Sequence, residues 1–259
     1  MNYKEILFTK QKGIAKLTLN RPSVYNALNL TIRPEILHAL EDAQTDEDVK
    51  VLILTGAGKA FCSGGDVKTM EDQTPIGGRE RLKNLHRINE AIFNLEKPVI
   101  TAVNGVAMGG GFSLALLGDI IVASEKARFG CSFVNIAVVP DTGMMWYLPR
   151  LIGLPKANEL MFTGRVIGAI EAMEMGLLNK VVPAEELEKT VQEMAERLTK
   201  GPVKAIGMMK TLTHKALWTD YSSFLEYEAQ AQAICFLTED MREGFNSFVE
   251  KRTPHFKGR

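Results

Sequence analysis

The chain has 259 residues, 46% of them hydrophobic and 24% charged, a globular composition with enough length for one substantial core and an appended element. Lysine plus arginine equals aspartate plus glutamate at 31 each, so no whole-molecule field draws the chain to nucleic acid or to an anionic membrane, and any basic site is local. Cys62, Cys131 and Cys235 are an odd number without paired spacing, which argues against a disulfide framework or a Cys-ligated zinc and suits a reducing, cytoplasmic compartment.

In chain order, Met1 to Leu19 interleaves Lys4, Lys10 and Lys12 with short apolar pairs and lacks the apolar block and cleavage site of a signal peptide. Ile6-Leu7-Phe8 and Ile14 to Leu19 read as strands of a hairpin turning at Lys12-Gly13, closed by Asn20-Arg21-Pro22. From Thr31 to Gln44, Ile32, Ile36, Leu37, Leu40 and Ala43 recur at helical spacing, and Val49 to Leu54 is a continuous apolar strand. The pattern repeats: a helix over Arg79 to Leu95, a strand over Val99 to Val103, a glycine turn over Gly105 to Gly111, a helix through Leu117, and a strand over Asp119 to Ala123. Asn104, Asp119 and the glycines make Val99 to Ala123 a buried strand, turn and helix instead of a membrane span. Strand, turn and helix units in series predict an α/β core. Beyond Pro149, Leu160 to Phe162, Ala169 to Met175, Glu185 to Leu198 and Pro202 to Phe248 read as helical and strands become scarce. The expected division is residues 1–200 as core and 201–259 as a helical region packing on it or on another subunit.

Two strands each lead into a small-residue turn, Leu54 to Asp66 with Gly56, Gly58, Gly64 and Gly65, and Ala102 to Phe112 with Gly105, Gly109, Gly110 and Gly111. Glycine lets a backbone approach a ligand closely, and a helix starting there presents unpaired N–H groups at the positive end of its dipole. Such sites attract phosphates and oxyanions. The string Gly105 to Gly110 does not match GxGxxG, and no GxxxxGK[ST] is present, so nucleotide binding is the weaker reading.

The two turns, together with Leu19-Asn20-Arg21-Pro22, Asn26-Ala27-Leu28, Asp119 to Ala123 and Arg242-Glu243-Gly244 through Lys251-Arg252, closely resemble the crotonase family, the enoyl-CoA hydratase and isomerase superfamily. The resemblance covers nearly the whole chain. It implies a spiral of ββα units with a C-terminal helical trimerisation region, an acyl-CoA substrate, assembly as a homotrimer or hexamer, and no metal or redox cofactor. It also implies an oxyanion hole made by the backbone N–H groups of Cys62 and Gly110, with no task for the Cys62 thiol. By the same resemblance Ala60, Gly64 and Asp66 belong to the substrate site, Phe112 and Phe133 to the pocket wall, and Arg21, Lys59, Lys251 and Arg252 to the coenzyme contacts. For each of the four basic residues, solvated surface is the alternative.

At the two positions where hydratases of the family carry glutamate, this chain has Ser113 and Phe133. Neither can exchange a proton with water as a carboxylate does, so hydration of a 2-enoyl thioester is not expected to be its main reaction. Asp141, in Val138-Val139-Pro140-Asp141-Thr142-Gly143, stands where isomerases resembling those of phenylacetate breakdown place their proton-transferring aspartate. A single base beside an oxyanion hole suits moving a proton between carbons of a dienolate. The local alternative is a turn aspartate. His86 with Asp141 matches two of the three groups of a chlorobenzoyl-CoA dehalogenase of the superfamily, which gives a second mechanism; a lone His on an amphipathic helix is otherwise a surface or packing residue. A non-catalytic acyl-CoA binder is the reading from a different class.

Overall fold

The structure is a computed structural model, and it describes residues 2–66 and 74–259. A six-stranded sheet has the order β1-β2-β3-β5-β7-β10 and a four-stranded sheet the order β4-β6-β8-β9. β1 (Ile6–Gln11) and β2 (Ile14–Leu19) form the expected hairpin, with Lys12 and Gly13 both at positive φ, the turn whose hand matches the strand twist. From β2 onward the large sheet is parallel through β3 (Val51–Gly56), β5 (Val99–Val103), β7 (Ile120–Ser124) and β10 (Lys180–Val182).

Each turn of the chain adds one strand to each sheet. β3 is followed by β4 (Ala60–Cys62), β5 by β6 (Val106–Met108), and β7 by β8 (Arg128–Gly130), with β4, β6 and β8 parallel to one another and β9 (Val166–Gly168) antiparallel to β8. This is the expected spiral of ββα units. One expectation changes: Gly105 to Gly111 is not one turn but contains β6; past Pro149 strands are scarce, as expected, with only β9 and β10 of three residues each among the described residues. Three residues are too few to show a period of two, so only their pairing partners define these strands.

Both faces of the large sheet are covered, which explains its unbroken apolar runs. Leu17, Leu52, Leu54, Val99, Val103 and Ile121 face the main core with α1 (Ile32–Thr45), α2 (Pro75–Phe93) and α3 (Gly110–Ala115). Val51, Ile53, Ile100 and Val122 face Leu187, Val191 and Ala195 of α7 (Leu187–Thr199). Burying Leu187 and Val191 contributes about 1.5–3 kcal/mol each. Between α3 and α7 lie α4 (Met144–Ile152), α5 (Leu154–Thr163) and α6 (Ala169–Glu174).

The C-terminal helices α8 (Val203–Ala216), α9 (Tyr221–Cys235) and α10 (Glu239–Glu250) follow. α8 is fastened to the core by a buried ion pair, Lys210 Nζ to Asp119 Oδ2 at 2.9 Å, while Lys210 also donates to the Ile92 and Lys97 carbonyls. Asp119 Oδ2 accepts from Val99 N–H at 2.7 Å as well. Burial lowers the Lys210 pKa and Asp119 opposes it. Among the described residues no helix is long and apolar enough to cross a membrane, and no cluster of ligating side chains could hold a metal ion.

Candidate active site

The two glycine turns and the Asp141 turn converge on one point. A methyl group on Gly111 would overlap the Cys62 carbonyl, and one on Gly64 would stand 2.8 Å from the Met108 carbonyl oxygen and 3.1 Å from the Gly110 nitrogen. Only glycine permits these approaches. Gly64 and Gly109 also have φ of +96° and +50°, where a side chain is strained. Gly109 is the N-cap of α3 and no side chain caps that end, so the Gly110 N–H is in the first turn, where no intrahelical carbonyl is available. On the facing strand the β4–β6 register shifts between Ala60 and Cys62, an irregularity that re-aims a peptide group.

Asparagines set the shape of the first turn. Asn26 is fully buried at φ +57°; its amide donates to the carbonyls of Ala57, Ala60 and Phe61 and its oxygen accepts from Arg21 N–H. Asn104 grips the same loop, donating to Gly58 and Ala60 and accepting from Gly56 N–H. The Cys62 thiol donates to the Asn26 carbonyl at 3.2 Å and receives the Gly64 N–H at 3.4 Å. Burial pushes that thiol up to about 12, so it is not a thiolate at neutral pH, and it is fully enclosed. In native protein at pH 8, iodoacetamide is expected to modify half-buried Cys235 well before Cys62, as followed by peptide mass spectrometry; equal rates would show a reactive Cys62.

Asp141 lies across from the second glycine turn. Its Oδ1 would be 3.5 Å from a methyl on Gly110, and Thr142 Oγ1 3.2 Å. Thr142 donates its hydroxyl to Asp141 Oδ1 at 2.7 Å. It does so from φ +54° while 1% exposed, a left-handed conformation that costs a β-branched residue about 1–3 kcal/mol and that concentrates at functional sites. Ser113, fully buried, donates to the Asp141 carbonyl at 3.0 Å. At the position where hydratases carry glutamate, this chain therefore has a tether for the Asp141 main chain. Thr142 and the Ser113 tether went unread in the sequence, because both contacts appear only when the Asp141 turn folds against α3.

The remaining expected site residues divide. Ala60 is buried in β4 and Phe133 lies with its ring 3.7 Å from a methyl on Gly109. Phe112, expected in the pocket wall, is 1% exposed and packs on Phe129 in the main core, centroids 5.3 Å apart. Arg21 pairs with Glu5 at 3.0 Å and Asp66 at 3.5 Å and donates to the Ala27 carbonyl, so it and Asp66 brace the first turn. Lys59 is exposed beside β4. His86 is exposed on α2 and lines a cavity of about 430 Å³ with Asn89, Phe93, Gly143, Trp146 and Trp218; it makes no hydrogen bond or ion pair to Asp141 among the described contacts. Lys251 is the exposed, left-handed cap of α10. Arg252 spends its donors on Glu243 and Glu250, and Glu243 is held down to about 2 by Arg252 and by the His255 N–H.

Comparison with known proteins agrees with this architecture. A family model described as Enoyl-CoA hydratase/isomerase matches residues 9–259. Crotonyl-CoA hydratase of Syntrophomonas wolfei is 38% identical over 99% of both chains. Trans-2-decenoyl-[acyl-carrier-protein] isomerase of Streptococcus mutans is 35% identical over 100% of both, and 1,2-epoxyphenylacetyl-CoA isomerase of Escherichia coli is 35% identical over 98% of both. The crystal structure of an enoyl-CoA hydratase from Bacillus anthracis superposes with a TM-score of 0.94 at 36% identity, covering 99% of this chain and 100% of that one. On sequence and on fold alike, this chain is an enzyme of the enoyl-CoA hydratase/isomerase family.

Proposed function

We propose that the protein is a double-bond isomerase of unsaturated acyl-CoA esters, working by enolate stabilisation and proton shuttling. The observation that carries this reading is the placement of the Asp141 carboxylate against Gly110, with Ser113 and not a carboxylate at α3. The thioester oxygen is held by the N–H groups of Cys62 and Gly110. Asp141 removes the α-proton of a 3-enoyl thioester, the electron pair moves through the double bond onto the oxygen as a dienolate, and the same proton returns to the γ-carbon to give the 2-enoyl product. Thr142 and Ser113 hold the carboxylate and its main chain in place. No metal or redox cofactor is called on. Lys59 and Lys251 are the coenzyme contacts in this reading, with Arg21 tied to Glu5 and Asp66 and Arg252 tied to Glu243.

The relatives bear both hydratase and isomerase names, so the decisive assay compares the two reactions. Conversion of 3-hexenoyl-CoA to the 2-enoyl ester is expected to be fast, whereas crotonyl-CoA hydration is expected to run about 10²- to 10⁴-fold below an ordinary hydratase, because neither Ser113 nor Phe133 supplies the carboxylate pair that positions and deprotonates water. A hydratase-level rate on crotonyl-CoA would overturn the isomerase reading. Exposed Leu237, Phe245, Phe248 and Val249 around α10 support assembly through the C-terminal helices into homotrimers or paired trimers.

A further inference from the structure

Four aromatic rings line a cavity that proton transfer at Asp141 leaves unused. Phe93 of α2, Trp146 and Tyr147 in the first turn of α4, and Trp218 just past α8 surround it with Asn89 and Gly143. It encloses about 430 Å³, within the range of about 300–1,000 Å³ usual for small-molecule sites. The rings are held in place. Phe93 stacks on His214 with centroids 4.1 Å apart, Trp146 meets Phe93 and Tyr147 edge-on at 6.0 and 4.8 Å, and Arg150 lies 4.2 Å above Trp146. Trp218 is 56% exposed, so the cavity opens to solvent with an aromatic wall uncovered. The Asn89 side chain makes no hydrogen bond among the described residues, and its Oδ1 is enclosed without a donor.

The cavity adjoins the Asp141 turn. Gly143, the N-cap of α4, is part of its lining. A methyl there would stand 3.0 Å from Tyr147 Cε2 and 3.6 Å from Asn89 Nδ2, so α2 and α4 close on a position that glycine leaves open. Asp141 comes two residues earlier, in a turn closed by the Met144 N–H to the Asp141 carbonyl at 3.0 Å, and two residues span at most about 7 Å. We propose that this cavity is the subsite for the far end of the acyl group, and that the substrate class is a thioester whose acyl chain carries a hydroxylated aromatic ring. The inference rests on the reading of Asp141 as the group that faces the acyl chain. Four rings favour an aromatic guest over a saturated one of equal size, because the positive edge of one ring meets the negative face of the next. A hydroxyl both donates and accepts, so it satisfies the Asn89 carboxamide through either its oxygen or its nitrogen, and it supplies the partner that an enclosed polar atom requires.

Trp146 and Trp218 are the two tryptophans of the chain, so intrinsic tryptophan fluorescence reports on this cavity. The full chain is titrated with the CoA esters of 3-(4-hydroxyphenyl)propanoate, 3-phenylpropanoate and 3-cyclohexylpropanoate, with CoA alone and free 3-(4-hydroxyphenyl)propanoate as controls, and affinities are read by calorimetry. The hydroxyphenyl ester is expected to change the emission and to bind about tenfold or more tightly than the cyclohexyl ester. Trp218→Leu, at an exposed position that folding does not depend on, is expected to cut that preference to about threefold or less. Asn89→Leu is expected to erase the difference between the hydroxyphenyl and phenyl esters. The proposal is overturned by equal affinities for the three esters, by emission that stays unchanged at saturation, or by a preference that both variants leave intact. It is overturned as well if CoA alone gives the full emission change, which would seat the adenine here, or if the free acid binds as tightly as its ester, which would assign the cavity to a separate aromatic ligand. Binding needs no proton transfer, so a ring preference without isomerisation of any 3-enoyl ester would remove the isomerase reading and leave the subsite. Fast isomerisation of 3-hexenoyl-CoA alongside equal affinities would do the reverse.

Discussion

Asp141→Asn is expected to reduce isomerisation by about 10²- to 10⁴-fold, the usual contribution of a positioned acid–base group, while the affinity for the thioester changes little. Asparagine preserves the size of the side chain and still accepts from Thr142 through its amide oxygen, the contact that in the native protein spans 2.7 Å. It cannot take a proton from carbon. A loss confined to the transition state appears in kcat and kcat/KM together, and exchange of the α-hydrogen for deuterium should stop with it. The second mechanism makes a different demand. Were Asp141 a nucleophile on an aryl ring, 4-chlorobenzoyl-CoA would leave a covalent adduct on it, and His86 would be needed to activate water for its release. His86 is exposed, and among the described residues no hydrogen bond or ion pair joins it to Asp141, so no adduct is expected in mass spectra and His86→Ala should be nearly silent. A stoichiometric adduct on Asp141 would replace the isomerase reading with the dehalogenase one.

How much of this was legible beforehand follows from the length of each signal. The apolar runs of β3, β5 and β7 and the spacing of Ile32, Ile36, Leu40 and Ala43 along α1 are long enough to identify their elements, and the structure contains them. The second sheet was illegible because β4, β6, β8 and β9 have three residues each and owe their conformation to partners far along the chain. The glycine turns were legible by composition, but Thr142 resembled ordinary turn chemistry, and its task depends on a left-handed φ that no threonine advertises. Ser113 read as a missing acid, and its hydrogen bond crosses 28 residues to Asp141. Arg33 lies three and seven residues before Ile36 and Leu40, on the apolar stripe of α1, and the structure buries it there with a hydrogen bond to the Leu28 carbonyl, a placement that helical spacing signals but residue type conceals.

The Gly110 N–H, the oxyanion donor of the proposed mechanism, gives the second large effect. Gly110→Pro is expected to cut turnover by about 10²- to 10³-fold, the loss measured when one such donor is removed, with the fold retained. Proline is tolerated in the first turn of a helix, where its missing N–H has no intrahelical partner, and Gly110 is the first residue of α3. Gly110→Ala separates the donor from crowding. A methyl there meets Thr142 Oγ1 at 3.2 Å and Asp141 Oδ1 at 3.5 Å, contacts that a few tenths of an ångström of adjustment can absorb, and the N–H remains. Alanine should therefore keep much more activity than proline. Cys62→Ser, which keeps its own backbone donor and replaces a thiol that bonds only the Asn26 carbonyl and the Gly64 N–H, should also stay far above Gly110→Pro. Circular dichroism and melting curves on all three variants check that the fold is intact. Equal activity in Gly110→Pro and Gly110→Ala would place the enolate oxygen elsewhere, and with it the whole assignment of the two glycine turns.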